Sequence, residues 1–179
     1  ILIADYEIPH PQPLMRIAEK VLQEEKRPLV IIAHNFTGAG LGSLVASKMK
    51  NGVPILACKA PYFGDNRLEQ LTDLAILTGA RVVSNSTGLT FDKLESSDLG
   101  QCETIMANKH HTTFTGGKGQ KSAVEARISV LQATIDNSES DYEKEKLQER
   151  LAKLTSGVAV IRVGGSTEIE VKERKFRIE

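Results

Sequence analysis

Two hydrophobic periods alternate along the first half of this chain. Residues 28–33 (PLVIIA) form an unbroken apolar run, and so do 53–58 (VPILAC), the pattern of strands covered on both faces. The opening ILIA reads as another strand, and a short one begins at Val82–Val83. Between them the period is helical. Residues 13–25 carry Leu14, Ile17, Ala18, Val21 and Leu22, and residues 37–50 carry Leu41, Leu44, Val45 and Met49. Residues 68–77 predict a third helix, with Gly79 placed for a left-handed cap. Strand and helix alternate, which predicts an α/β layer arrangement.

The pattern then changes. Residues 103–108 and 111–115 predict strands around a turn, followed by Gly116-Gly117-Lys118-Gly119 as a tight connection. Residues 122–135 space Val124, Ile128, Leu131 and Ile135 as an amphipathic helix. Residues 141–154 place Leu147, Leu151 and Leu154 on one stripe, with Glu149 and Lys153 at the favourable i,i+4 spacing. The DNSES linker at 136–140 joins the two as a hairpin. Gly157 breaks the pattern, 158–163 predicts a strand, and 168–177 is a charged segment.

The first two helices are more apolar than one core contact needs. On the first, Leu14, Ile17 and Val21 already complete a buried stripe, and Met15, Ala18 and Leu22 add a second. On the second, Leu41, Leu44, Val45 and Ala46 widen the arc in the same way. Read from the residues alone, either both helices are well buried or an apolar groove lies open between them. Each Leu-sized side chain docked in such a groove gains about 1.5–3 kcal/mol without directional bonds. Recognition there is broad, and a flexible methionine suits it.

Composition narrows the partners. The 179 residues hold 23 basic and 23 acidic side chains, no tryptophan and only 4% aromatics. No field draws nucleic acid or an anionic membrane, and no stacking platform is available. No apolar run approaches the roughly 18 residues of a membrane span, and no signal peptide is visible. Cys58 and Cys102 are expected to be buried free thiols. Both ends read as cut, as in a fragment of a longer protein.

Several motifs imitate chemistry. Gly38-Ala39-Gly40-Leu41-Gly42 follows a strand and opens a helix, but lacks the third glycine and the acidic residue of a dinucleotide fingerprint. Gly116–119 lacks the spacing of a phosphate-binding loop. His110 and His111 point to opposite faces of a strand and cannot share a metal. His10 and His34 have no partner motif, and no G-x-S-x-G elbow occurs. Asp65-Asn66-Arg67 reads as a loop whose Asp65 caps the following helix.

KAPYFGDNR at 59–67, continuing through 68–79, and the segment DYEKEKLQERLAKLTSGVAVIRVGGSTEIEVKERK at 141–175 resemble the group I chaperonins, the ring-forming heat-shock chaperones. The resemblance extends over nearly the whole chain. It implies the layered α/β fold of the apical domain, sheets flanked by helices, with a C-terminal helical hairpin and a following strand. Residues 1–157 would be the apical, polypeptide-binding domain without its first portion, and 158–179 the start of the intermediate domain. Gly157 falls at the hinge, where glycine's backbone freedom is useful, and Glu168 at a contact between ring subunits.

The same resemblance implies that non-native polypeptide and a co-chaperonin mobile loop bind in a groove lined by Met15, Ala18, Leu22, Leu41, Val45 and Ala46. One extra residue near 24–27 disturbs the first helix's register. The parent is expected to be a heptameric, ATP-driven folding machine of the bacterial cytoplasm or mitochondrial matrix. Its ATP and Mg site lies in another domain, and its catalytic Asp falls after Glu179. This segment is therefore expected to hold no catalytic residue, cofactor or metal and to bind neither nucleic acid nor membrane.

The chain departs from the family in two places. Where the family has an acidic, helix-favouring run, this chain has His34–Gly40, and Gly40 and Gly42 each cost roughly 1 kcal/mol in a helix. The second helix is therefore expected to start late or fray. Tyr62 stands where the family usually has glycine. Two alternatives stay open: a small nucleotide-binding α/β enzyme domain using residues 38–42, and a ring-forming relative that has lost its groove.

Overall fold

The computed structural model describes residues 1–108, 111–155, 164–165 and 167–178. Strands β1 (Leu2–Ile8), β2 (Leu29–Phe36), β3 (Ile55–Lys59) and β4 (Val82–Val83) form one sheet in the order β3-β2-β1-β4. Every pairing is parallel. Alternation along each strand sorts the side chains onto two faces. Leu2, Ala4, Ile8, Leu29, Ile31 and Ala33 join one core, and Ile3, Val30, Ile32 and Val82 the other.

Helices α1 (Gln12–Glu19) and α2 (Gly38–Asn51) cover the first face through Leu14, Ile17 and Leu44. Helix α3 (Gly64–Thr78) covers the second through Leu71 and Ala75. The antiparallel pair β5 (Thr104–Ala107) and β6 (Thr112–Thr115) packs Ile105 and Phe114 against that second core. Helices α4 (Lys121–Asn137) and α5 (Asp141–Thr155) pack together as the expected hairpin, and α6 (Glu168–Ile178) follows. The layered α/β arrangement is the predicted one. The strand expected at 158–163, the hinge at Gly157 and the reading of His110 lie outside the described residues. Among the described residues no helix is long and apolar enough to cross a membrane.

Local details correct the sequence reading. After α1 the chain makes a π turn at Lys20–Glu24, with Glu25 N–H donating to Lys20 O at 3.1 Å. An i→i+5 turn absorbs one more residue without breaking the helix; the turn takes in Leu22, and the backbone stays irregular through Lys26, at φ +52°, within the 24–27 stretch. Helix α3 begins at Gly64 behind the N-cap residue Phe63, which makes no side-chain cap bond. Asp65 is not the cap. It lies within the first turn, where a carboxylate complements the helix dipole. Gly79, at φ 77°, ends α3 as predicted. Cys58 and Cys102 are free but only half-buried.

The hairpin is held to α3 by charge. Arg150, not a leucine, is the buried residue of α5, and Leu147, Leu151 and Leu154 are half-buried. Arg150 donates to both oxygens of Asp73, at 2.7 and 3.1 Å, and to Glu69 at 2.9 Å. Arg127 of α4 donates to Asp73 at 2.7 Å and to Glu69 at 2.6 Å. Glu149 pairs with Lys146 at 2.9 Å, not with Lys153 as its spacing suggests.

Burial alone would raise the Glu69 carboxyl, but hydrogen bonds and charge from Arg127 and Arg150 outweigh it and hold the group below its ordinary range. A depressed folded-state value gives stability that is present above the unfolded value, about 4.3. That stability is lost as pH falls through the folded value. The expected result is that α4 and α5 loosen before the sheet on acidification below about pH 4. Amide exchange resolved by segment measures this, and Glu69→Gln should remove part of the pH dependence.

Candidate functional site

Helices α1 and α2 lie on the same face of the sheet, over one core cluster. On α1 the sheet-facing positions are Leu14, Ile17 and, in the π turn, Val21, all buried. The adjoining stripe turns outward. Met15 is 61% exposed, while Ala18 and Leu22 are half-buried against the flank of the core. On α2 only Leu44 of the predicted apolar face is buried. Leu41 is 45% and Val45 47% exposed, and Ala46 is half-buried. None of the six residues is sealed in the interior. Met49, one turn beyond Val45, is 80% exposed and extends the apolar strip.

The strip is held from beneath and from its ends. Arg16 of α1 donates to the Asp92 carbonyl at 2.9 Å and so fixes that helix to the 91–94 turn. Thr37 Oγ1 donates to Glu7 Oε1 at 2.7 Å ahead of α2. Helix α2 starts at Gly38, contrary to the late or frayed start expected from its glycines. The reason is a close approach. A Cβ at Gly40 would lie 2.4 Å from the Ile8 carbonyl oxygen, and the Gly40 N–H donates to Pro9 O at 2.9 Å. Glycine lets the first turn of α2 sit on the link from β1 to α1.

The same contact decides against a nucleotide at residues 38–42. The backbone of the β1–α1 link lies against Gly40, where a phosphate would have to approach, and the Gly40 N–H is already taken. Gly116–119 is likewise committed. Gly119 N–H donates to Leu77 O at 3.0 Å and Lys118 N–H to Gln101 O at 2.9 Å. Cβ atoms at Gly117 and Gly119 would strike the Leu77 and Ile76 carbonyls. These glycines serve close packing on the end of α3 and not phosphate. Among the described residues no three His, Cys, Asp or Glu groups converge as a metal site.

Tyr62 takes φ +64°, in the left-handed region that glycine favours. Its ring lies 5.6 Å from the Lys153 ammonium of α5, a contact that offsets part of the backbone cost. Sequence reading flagged the substitution but not the contact, which joins residues far apart in the chain. Phe63 beside it is 81% exposed. Glu168 stands exposed in the first turn of α6.

No protein-family model matches the chain. Among curated proteins, it is 48% identical over 180 residues to the chaperonin GroEL of Neorickettsia sennetsu. That alignment takes in 100% of this chain and 33% of the relative, so the chain spans about a third of the length of the curated protein it matches.

Proposed function

We propose, for a chain related along its whole length to the GroEL-type chaperonins, that it is a polypeptide-binding segment of a protein-folding chaperone. Non-native polypeptide and a co-chaperonin loop dock on the outer surface of α1 and α2. The observation that carries this reading is the exposure of Met15, Leu41 and Val45 on helices whose sheet-facing stripes are already complete. A folded domain gains nothing in stability by leaving such side chains in water, and contiguous apolar surface marks interaction sites. Ala18, Leu22 and Ala46 form the shallower parts of the groove.

In this proposal residues 1–157 are the apical domain and 158–179 open the intermediate domain. Gly157 is the hinge, and Glu168 meets a neighbouring subunit in a seven-membered ring. ATP and Mg act elsewhere in the full-length protein and drive release of what this segment holds. The segment itself catalyses nothing. The relative is bacterial, which favours the bacterial cytoplasm over the mitochondrial matrix.

Leu41→Ser tests the groove. Binding can bury only the exposed part of the side chain, about half of the 1.5–3 kcal/mol of a full burial, so affinity for a denatured polypeptide should fall about three- to tenfold. Stability should fall by about 1–2 kcal/mol, because the inner half of the side chain already packs on the fold and serine is a poorer helix former, which leaves the domain folded. Titration calorimetry beside urea unfolding separates the two effects. Undiminished binding by a folded variant would overturn the assignment.

A further inference from the structure

The opposite face of the sheet carries a cavity of about 700 Å³ that takes no part in the groove. Elements β3, α3, β6 and α5 surround it. Its inner wall is apolar, formed by Ile32, Leu71, Leu74 and Phe114 of the core under α3. A volume of roughly 300–1,000 Å³ with an apolar wall and a few polar groups is the form of a small-molecule site.

The charges around the cavity are not balanced. Arg150 and Asp73 both line it, but they satisfy each other. Lys59 and Lys153 line it as well, both exposed, and neither forms an ion pair among the described residues. Glu149, one turn before Lys153, bonds directly to Lys146 and reaches Lys153 only through its charge. Two cationic groups therefore stand at the mouth above a greasy wall. Tyr62 adds a second, independent observation. Its left-handed backbone holds the ring at the cavity edge against Lys153. A non-glycine residue kept in that region is the kind of strain found at ligand clamps.

We propose that this cavity binds a small amphiphilic carboxylate. Its hydrocarbon part lies against Ile32, Leu71, Leu74 and Phe114, and Lys59 and Lys153 hold its charge at the mouth. The site shares no residue with the α1–α2 surface, so the two readings stand or fall separately.

The probe is decanoate, titrated into the 179-residue chain and followed by amide chemical shifts. The expected result is saturable binding with shifts at residues 59, 74, 113 and 153. Affinity should be about tenfold or more weaker in the Lys59→Glu/Lys153→Glu double variant. Both changes are at exposed positions, and circular dichroism checks the fold. Leu41→Ser should leave decanoate binding unchanged, and decanol should bind more weakly than decanoate. The proposal is overturned by absence of saturable binding or by equal affinity in the double variant. Equal affinity for decanol, or loss of binding on Leu41→Ser, also overturns it.

Discussion

Asp73→Ala should lower the unfolding free energy of this chain by about 3–5 kcal/mol, the cost of breaking a buried ion cluster from one side. Asp73 accepts three of the five hydrogen bonds that Arg127 and Arg150 give to α3. Glu69 accepts the other two, and it is half exposed. Without Asp73, two guanidinium groups with side-chain exposures of 16% and 10% face a single, partly solvated carboxylate. Neither can swing fully into water without pulling its helix from α3. Urea unfolding measures the loss. Hydrogen exchange should place it first in residues 121–155, with the β1–β4 sheet protected for longer. A loss under about 1 kcal/mol would mean that apolar contacts, and not the ion cluster, hold the hairpin.

Gly40→Ala and Gly42→Ala should move stability in opposite directions, although both put alanine into the first turns of one helix. Helix propensity favours alanine by about 1 kcal/mol at either position. At Gly42 nothing lies within 4 Å of the added methyl, so the propensity gain should appear nearly whole. At Gly40 the methyl would meet backbone at 2.4 Å, and backbone cannot turn aside as a side chain can. Overpacking of this kind costs about 1–3 kcal/mol. Gly40→Ala should therefore come out destabilised and Gly42→Ala stabilised in the same denaturant series. Loss of any ligand on Gly40→Val would report this lost packing and says nothing of a nucleotide loop.

What could be read in the sequence follows from how locally each feature is determined. Strands β1 to β6, the sheet-facing stripe of α1 and the inward stripe of α4 were legible because burial imposes a period on neighbouring residues. Gly79 was legible for the same reason, since a helix stop is a local event. The ion cluster was not, because Asp73 meets Arg150 across 77 positions of the chain. Spacing within α5 pointed to Glu149–Lys153, while Lys153 is turned toward Tyr62. Gly40 looked like a flaw in a helix because its reason lies on another element. For the six residues proposed to line the groove, sequence supplied the surplus of apolar positions. The choice between burial and exposure needed the sheet, which fixes the side of each helix that is already occupied.

The most direct test of the central claim is a titration of this chain with a co-chaperonin mobile-loop peptide, resolved residue by residue through amide shifts. The account predicts saturable binding, with the largest changes at Met15, Ala18, Leu22, Leu41, Val45 and Ala46 and little change on α4 and α5. Absence of saturable binding, or changes gathered on the hairpin while α1 and α2 stay silent, would contradict it.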